Sequence, residues 1–280
     1  MSAALAFALL TGTGFSAQSL PEDAAPMMPR RVVSMNACTD QLAILIAGEG
    51  QLVSVSHLAA DPRVSAMTDE ATDFPLNHGR AEEIFLLAPD LVVAGAYSGR
   101  EAADVLRRLG VRVEVFEPAS SLEVVRENIR QMGRVLGQET RAERIAADYE
   151  ARLAKLQAEV TRRPRAAIYY ANGYTSGDRT LAGQILLAAG FSNVAAEAGY
   201  ASGGVMSLEV LAMAIPEFLV TGQPYPGASR SEAILDHPVV KALRDRPQGR
   251  IADRDWVCGT PFVLRAVEEL AEERRKFEPQ

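Results

Sequence analysis

The residues best suited to covalent chemistry stand near the start of the chain. Cys38 and Asp40 are separated by one residue, and His57 follows downstream. If the fold brought these side chains together, the thiol could act as a nucleophile with the imidazole as its base. The sequence contains no His-Glu-x-x-His, no Walker loop, no Gly-x-Ser-x-Gly and no dinucleotide-binding glycine pattern. Binding without bond chemistry is therefore the first interpretation, and an exported enzyme that uses Cys38 is the alternative from another class.

Cys38 and Cys258 are the only cysteines, so they allow one disulfide at most. They cannot build a disulfide scaffold or a four-thiolate zinc site. In an oxidising compartment they could be bridged, provided that their Cα atoms lie within about 7 Å of each other. We expect two separate, partly buried thiols rather than a bridge, and the sequence leaves both alternatives open.

The composition is that of an ordinary folded protein, with 48% hydrophobic and 23% charged residues. A length of 280 residues allows one large domain or two modest ones. The formal net charge is -7 and the sequence has no basic block. This argues against nucleic acid as a partner, because proteins that bind it need basic groups to meet the phosphate backbone.

The N-terminal segment predicts export. Residues 1–17 carry no charge, and an apolar run over 3–10 is followed by small residues, which is typical of a signal peptide too short to span a bilayer. We expect cleavage near Ser16 or Ala17, a flexible leader over 18–29, and export as a soluble protein. The segment lacks a basic start, and a buried N-terminal helix is the alternative.

From residue 31 the chain alternates strand and helix patterns, which predicts βαβ units and a mostly parallel sheet. Strands are predicted over 31–35, 52–56, 90–94, 111–115, 165–170 and 217–221, and helices over 40–47, 101–109, 181–189 and 208–214.

Between the two halves the sequence predicts helices alone. Ser120-x-x-Glu123 and Thr140-x-x-Glu143 are capping boxes that would open helices over 122–136 and 140–160. We therefore predict an α/β fold with two Rossmann-like lobes, a long rigid α-helix that joins them, and a ligand cleft between the lobes. The N-terminal lobe would span 30–120, the helical connector 121–163 and the C-terminal lobe 164–280. A connector packed on one continuous sheet is the alternative.

An internal echo relates the two halves. The run Glu-Glu-Ile-Phe-Leu-Leu-Ala-Pro-Asp-Leu-Val-Val begins at Glu82, and Glu-Val-Leu-Ala-Met-Ala-Ile-Pro-Glu-Phe-Leu-Val begins at Glu209, 127 positions later. In both runs an acid starts a short helix, proline stops it, and the residue before proline is expected to be extended. Two similar lobes would each present one exposed glutamate in a first helical turn, where the helix dipole favours its charge.

These motifs carry a family resemblance. The pattern Gly79-x-x-Glu-x-Ile-x-x-Leu-x-Pro-Asp-Leu-Val, its second copy from Ser207, the helical connector, and the closing Trp256-x-x-x-x-Pro with Ala-Val-Glu-Glu-Leu-Ala from Ala266 resemble the periplasmic substrate-binding proteins of ABC importers for metal chelates. The resemblance covers residues 30–277. It implies a monomer without a cofactor that captures a ferric siderophore, cobalamin or haem and delivers it to a permease dimer in the inner membrane.

By this resemblance, Glu82 and Glu209 dock on the two permease subunits. The sequence pattern agrees, because two equivalent carboxylates on two lobes suit a partner with twofold symmetry. Two acids that are only surface residues are the alternative. We prefer that alternative for Glu83, whose counterpart is Val210.

The ligand site is expected in the cleft, on loops that follow the carboxyl ends of strands. These loops collect four tyrosines and the only tryptophan, and such side chains offer a large chelate rigid apolar contact with a polar tip. An arginine there could neutralise an anionic chelate. The candidate ligand-binding residues are Asn36, Thr39, His57, Tyr97, Arg100, Tyr170, Tyr174, Arg179, Tyr225 and Trp256.

Among metal chelates the sequence favours a ferric siderophore, because arginines accompany the aromatic residues and cobalamin needs little anion recognition. Cobalamin and haem, in that order, are the alternatives in the same class. His57 or His78 could be an axial ligand to iron or cobalt, although we expect His57 to line the cleft without ligating and His78 to be a turn residue. No metal is expected to be bound by the protein alone. A binding module without a transporter is a further alternative.

Overall fold

The computed structural model describes residues 28–158, 160, 162–222, 229–244 and 247–277. The predicted signal peptide, most of the predicted leader and the candidate Tyr225 lie outside the described residues. Pro29, the last residue of that leader, is attached to the fold, because its carbonyl oxygen accepts a hydrogen bond from Gln51 Nε2 at 2.7 Å. Within the described ranges, no helix combines the length and apolarity needed to cross a membrane.

The N-terminal lobe is built on one parallel sheet. Its elements are β1 (Val32–Ser34), α1 (Ala37–Ile46), β2 (Leu52–Ser56), a 3₁₀ turn (His57–Ala60), α2 (Thr68–Ala71), β3 (Leu76–Asn77), α3 (Ala81–Leu86), β4 (Leu91–Gly95), α4 (Arg100–Arg108) and β5 (Val113–Phe116). The strand order is β3-β2-β1-β4-β5, and each neighbouring pair is parallel. The central β1 and β4 are buried along their length apart from the last residue of β4, as strands covered by helices on both faces should be.

The helical connector consists of α5 (Leu122–Leu136) and α6 (Glu139–Ala158). The predicted start of α5 is confirmed, although its capping residue is Ser121 and not Ser120, whereas α6 begins one residue before the predicted start at residue 140. Ser121 caps α5, since its Oγ accepts a hydrogen bond from Val124 N–H at 3.1 Å, and Thr140 lies inside the first turn of α6. The shift in α6 arises because Gly137 ends α5 in the left-handed conformation (φ 66°) and Gln138 O already accepts the first helical hydrogen bond of α6.

The C-terminal lobe has its own parallel sheet. Its elements are β6 (Arg165–Ile168), a 3₁₀ turn (Ala171–Gly173), β7 (Tyr174–Thr175), α7 (Leu181–Ala188), β8 (Ser192–Asn193), α8 (Val194–Glu197), β9 (Gly204–Val205), α9 (Leu208–Ala214), β10 (Phe218–Gly222), a 3₁₀ turn (Ala233–Asp236), α10 (Pro238–Arg244), β11 (Gln248–Ile251), α11 (Asp253–Trp256) and α12 (Val263–Phe277). The main sheet has the order β11-β10-β6-β8, and β7 pairs antiparallel with β9. Two separate parallel sheets confirm the two-lobed α/β fold and exclude one continuous sheet.

The repeat found in the sequence is also a repeat in structure. Both β4 and β10 are the strands that follow the repeated helices α3 and α9. Ala88 (φ 47°) and Ile215 (φ 45°), which stand at equivalent positions, both have left-handed backbone. The expectation of extended geometry before each proline is therefore wrong. Proline does bar the right-handed helical conformation from the preceding residue, and here the chain leaves the helix through the left-handed region instead.

Equivalent arginines hold the ends of the two repeated helices. Arg31, just before β1, donates hydrogen bonds to Leu87 O (2.7 Å) and Ala88 O (3.1 Å) behind α3. Arg165, at the start of β6, donates to Ala214 O at 2.8 Å at the end of α9. Because the last carbonyls of a helix have no partner within the helix, these contacts stabilise both ends in the same way.

The connector is bonded to both lobes. Arg141 of α6 donates a hydrogen bond to Ala47 O behind α1 at 3.1 Å, and Arg152 pairs with Glu268 of α12 at 2.8 Å. A single hydrophobic cluster runs from β1 through α5 and α6 to β10 and α12; its members include Val32, Ile129, Ala146, Phe218 and Val267. A shared core of this kind makes the connector stiff, because the lobes cannot separate widely without exposing it.

Candidate functional site

A cavity of about 280 Å³ lies where the N-terminal lobe meets the segment that follows β11. Its walls come from the carboxyl ends of β1, β4 and β5, from α5, and from the C-terminal lobe, which is where open α/β sheets place ligands. The lining residues are Asn36, Cys38, Thr39, Leu42, Gly95, Ala96, Tyr97, Ser98, Phe116, Glu117, Pro118, Asn128, Val257 and Cys258.

A disulfide between Cys38 and Cys258 crosses between the lobes at this cavity. The Cα atoms are 4.7 Å apart although 220 positions separate the residues in sequence. The expectation of two separate thiols is therefore wrong. The reason is geometric: the first turn of α1 and the turn after α11 face each other across the lobe boundary, which no local pattern reveals.

The disulfide also removes the nucleophile that the enzyme alternative needed. Cys38 has no free thiol, and the buried Asp40 accepts hydrogen bonds from Ser56 N–H (3.0 Å) and Ser56 Oγ (2.5 Å). These bonds tie α1 to the end of β2. The predicted Cys38, Asp40 and His57 arrangement is thus not a nucleophile with its base.

Asn36 and Thr39 lie at the cavity wall but use their polar groups within the protein. Asn36 caps α1, since its Oδ1 accepts from Cys38 N–H at 2.9 Å, and its Nδ2 donates to Ser98 Oγ at 2.7 Å. Thr39 is buried and its hydroxyl bonds to Asn36 O and Ser34 Oγ. Both residues shape the cavity, and Asn36 joins the loops after β1 and β4.

Tyr97 and Arg100 stand together at the rim. Tyr97 is 75% exposed, and the guanidinium carbon of Arg100 lies 5.7 Å from the centre of the Tyr97 ring. Arg100 Nε also donates to Ala96 O at 2.6 Å, in the loop that lines the cavity. The pair presents an aromatic face with a positive group beside it, which suits a flat or anionic ligand.

Tyr170 and Trp256 form a stack in the C-terminal lobe. Their ring centres are 5.9 Å apart and their planes differ by 10°, and both rings pack against the main hydrophobic cluster. Tyr170 Oη and Trp256 Nε1 are buried, and neither has a hydrogen-bond partner among the described residues. Burial raises the pKa of the Tyr170 hydroxyl, and the negative charge of Asp253 raises it further. Tyr174, by contrast, is exposed, and its carbonyl oxygen accepts from Tyr170 N–H at 2.8 Å.

His57 and His78 are stacked at the end of β2 and β3. Their ring centres are 5.2 Å apart, their planes differ by 20°, and both side chains are exposed. Glu83 accepts a hydrogen bond from His78 N–H at 2.8 Å, and this bond lowers the pKa of Glu83. The sequence treated the two histidines separately and missed their contact, because parallel pairing of β2 with β3 brings them together.

Arg179 is not joined to the other candidates. Its side chain is exposed, and its backbone N–H donates to Ala201 O at 2.9 Å, within the C-terminal lobe. The neighbouring Asp178 lines a different cavity, bounded by α7 and α8. The described contacts therefore bring only one of the two candidate arginines, Arg100, to the cleft.

Glu82 and Glu209 both lie exposed in the first turns of α3 and α9. On the opposite side of each helix a large apolar side chain is buried, Ile84 in α3 and Leu211 in α9, again at equivalent positions. Hydrogen bonds from the backbone N–H of Glu209 and, second, from the Ser207 hydroxyl lower the pKa of the Glu209 carboxyl group. The two lobes therefore present their glutamates at the same position of equivalent helices.

Comparison with known proteins agrees with this architecture. A curated cobalamin-binding protein of Halobacterium salinarum is 30% identical over 200 residues, which cover 69% of this chain and 54% of that protein. The chain thus spans about half the length of this curated relative.

Solved structures share the fold. A periplasmic heme-binding protein of Pseudomonas aeruginosa has a TM-score of 0.67 and 24% identity, with 90% of this chain and 94% of that chain covered. An ABC-type Fe3+-hydroxamate transport protein of Saccharomonospora viridis has a TM-score of 0.65 and 23% identity, with 88% and 93% covered. Residues 32–246 match the model of the family described as periplasmic binding protein. The chain belongs to the periplasmic binding protein family.

Proposed function

We propose that the protein captures a metal chelate in the periplasm and delivers it to an ABC importer in the inner membrane, without bond chemistry. The observation that carries this proposal is the cavity between two lobes of repeated design, each with an exposed glutamate at the same place. A partner with two equivalent subunits could engage both glutamates at once.

The size of the cavity limits how the ligand is held. A volume of about 280 Å³ is just below the roughly 300 to 1,000 Å³ that is usual for a site that encloses a small ligand. A chelate as large as a corrinoid or a siderophore would therefore lie across the mouth, against the exposed Tyr97 and Arg100, with only part of it inside. The disulfide and the stiff connector favour a small change in lobe spacing on binding.

Cobalamin is our first candidate among the chelates, and a ferric siderophore is the second. The relative in Halobacterium salinarum supports cobalamin. Arg100 supports an anionic siderophore, but the sequence argument had relied on two arginines, and the contacts of Arg179 lie elsewhere in the C-terminal lobe. Haem is the third candidate, with His57 as its proposed axial ligand because the imidazole is exposed and directly follows the carboxyl end of β2.

Fluorescence of Trp256, the only tryptophan, tests capture and identifies the ligand. The protein would be titrated with cobalamin, a ferric hydroxamate and haem, with correction for ligand absorption. We expect saturable quenching at micromolar concentration or below by one of them. Arg100→Ala should weaken a siderophore about tenfold or more, since a charge-assisted contact is lost, and His57→Ala should alter the haem spectrum. Arg179→Ala is the matched control. Flat responses to all three ligands would contradict the proposal.

Transport by cells tests the docking glutamates. The double variant Glu82→Lys/Glu209→Lys should abolish uptake of the ligand and leave its binding in solution intact, because charge reversal repels basic groups on the permease. Glu101→Lys, in the first turn of α4, is the control and should transport normally. Normal uptake by the double variant would favour a binding module that works without a transporter.

A further inference from the structure

An exposed apolar side chain follows each docking glutamate by one helical turn. Leu86 at the end of α3 is 83% exposed, and Met213 in α9 is 73% exposed. Each lies four positions after its glutamate, and positions four apart share one face of a helix. Like the glutamates, Leu86 and Met213 stand 127 positions apart, so the repeat places the same pair, a carboxylate and an apolar group, on both lobes.

Burial of one large apolar side chain in each helix fixes this face outward. Ile84 and Leu211 are both fully buried and stand at equivalent repeat positions, so the two helices are seated on their lobes in the same rotation. A single exposed leucine or methionine on a protein surface needs no explanation. Two exposed apolar residues at equivalent positions, each beside a proposed docking glutamate, do need an explanation. An apolar group flanked by charge is the usual composition of a recognition surface.

We infer that Leu86 and Met213 are paired apolar anchors for a twofold-symmetric membrane protein, each entering an apolar recess beside the basic group that meets the neighbouring glutamate. This inference rests on the proposed function and adds the apolar half of the contact. The occupant is a protein rather than the bilayer surface, because anionic headgroups would repel Glu82 and Glu209. The glutamates would then steer and orient the complex, and the anchors would slow its dissociation.

Binding to membranes tests the inference. The labelled full-length protein would be added to right-side-out inner-membrane vesicles from cells that make the importer, and to liposomes of the lipids extracted from them. The variants are Leu86→Ser, Met213→Ser, the double variant, and Glu82→Lys/Glu209→Lys. Leu109→Ser is the matched control, since Leu109 is 51% exposed but caps α4 and so lies outside the two repeated helices.

We expect saturable binding to vesicles and none to liposomes. Each single serine variant should weaken binding by a similar factor, about threefold or more, and the double variant by about tenfold or more. Ligand quenching of Trp256 and binding by Leu109→Ser should be unchanged.

Three results would overturn the inference in distinguishable ways. Wild-type affinity of the double serine variant, with loss of binding on charge reversal, would remove the anchors and keep the proposed docking. Serine-sensitive binding to lipid alone would make the bilayer the occupant. Indifference of vesicle binding to every variant, or its absence in the wild type, would remove docking by these helices and the anchors with it.

Discussion

At the scale of the residue, Asp40 shows how burial changes the chemistry of a single carboxyl group. Asp40 lies in the first turn of α1 and accepts two hydrogen bonds from Ser56. Loss of hydration on burial raises its pKa from 3.8 to about 6, and the hydrogen bonds from Ser34 and Ser56 only partly oppose this shift. The folded protein therefore binds the Asp40 proton more strongly than the unfolded chain does.

Stability should depend on pH through this group. Its contribution to the free energy of unfolding is greatest below about pH 3.8 and is lost as the pH rises towards about 6. From about pH 4 to about pH 7, the stability of the wild type relative to Asp40→Asn should fall by roughly 2 kcal/mol. Urea denaturation at both pH values measures this. A constant difference between the wild type and Asp40→Asn would contradict the assignment.

Residue types and strand positions were enough to predict which loops line the cleft, but not the contacts within it. Asn36, Tyr97 and the cysteines do line the cavity, because the carboxyl ends of parallel strands share one edge. The stacking of His57 on His78 and of Tyr170 on Trp256 was not predictable, since each depends on how distant segments approach. The same holds for the internal bonds that occupy Thr39.

At the scale of the element, the connector depends on close packing of its two helices. A Cβ atom added at Gly133 of α5 would lie 2.3 Å from Ala142 Cβ of α6, far inside van der Waals contact. Glycine is therefore required there by the approach of the helices, although glycine in a helix interior costs about 1 kcal/mol relative to alanine.

Gly133→Ala should force α5 and α6 apart and lower the free energy of unfolding by about 1 to 3 kcal/mol. The double variant Gly133→Ala/Ala142→Gly moves the methyl group to the other helix and should recover part of the loss. Urea denaturation compares the four proteins of this cycle. If Gly133→Ala were as stable as the wild type, or the second change brought no recovery, the packing described here would be wrong.

The sequence pattern predicted the capped helices well and the short strands poorly. The helices over 122–136 and 208–214 have the predicted bounds, because capping residues and apolar periodicity mark them. Strand β11, with the sequence Gln-Gly-Arg-Ile, has no strand pattern. It exists because β10 offers it a parallel edge, which is a tertiary effect.

At the scale of the whole molecule, the lobes are held by two different kinds of link. The connector joins them through a shared core, and the disulfide joins them at the cavity. Close packing supports the second link, since a Cβ atom at Gly259 would lie 2.3 Å from Ala119 Cβ, just before the connector. The lobes are thus joined both by the connector and, at the cavity, by the disulfide.

Replacement of both cysteines, Cys38→Ser/Cys258→Ser, should lower the free energy of unfolding by about 2 to 5 kcal/mol. The loss is expected to be large because the bridge closes a loop across 220 positions, and long loops restrict the unfolded chain most. Thermal or urea denaturation measures it. A reductant should destabilise the wild type and leave the double variant unchanged; equal responses of the two proteins would contradict a bridge in solution.

The position of Cys258 after the last strand has a consequence for the order in which the protein is synthesised and bridged. All strands of both main sheets precede Cys258 in the chain, so Cys38 acquires its partner only after the whole of both sheets has been synthesised. Any copy cut short before Cys258 keeps the Cys38 thiol. Alkylation of Cys38 would therefore distinguish truncated chains from complete ones. A formed bridge indicates that both lobes have been synthesised and are in contact.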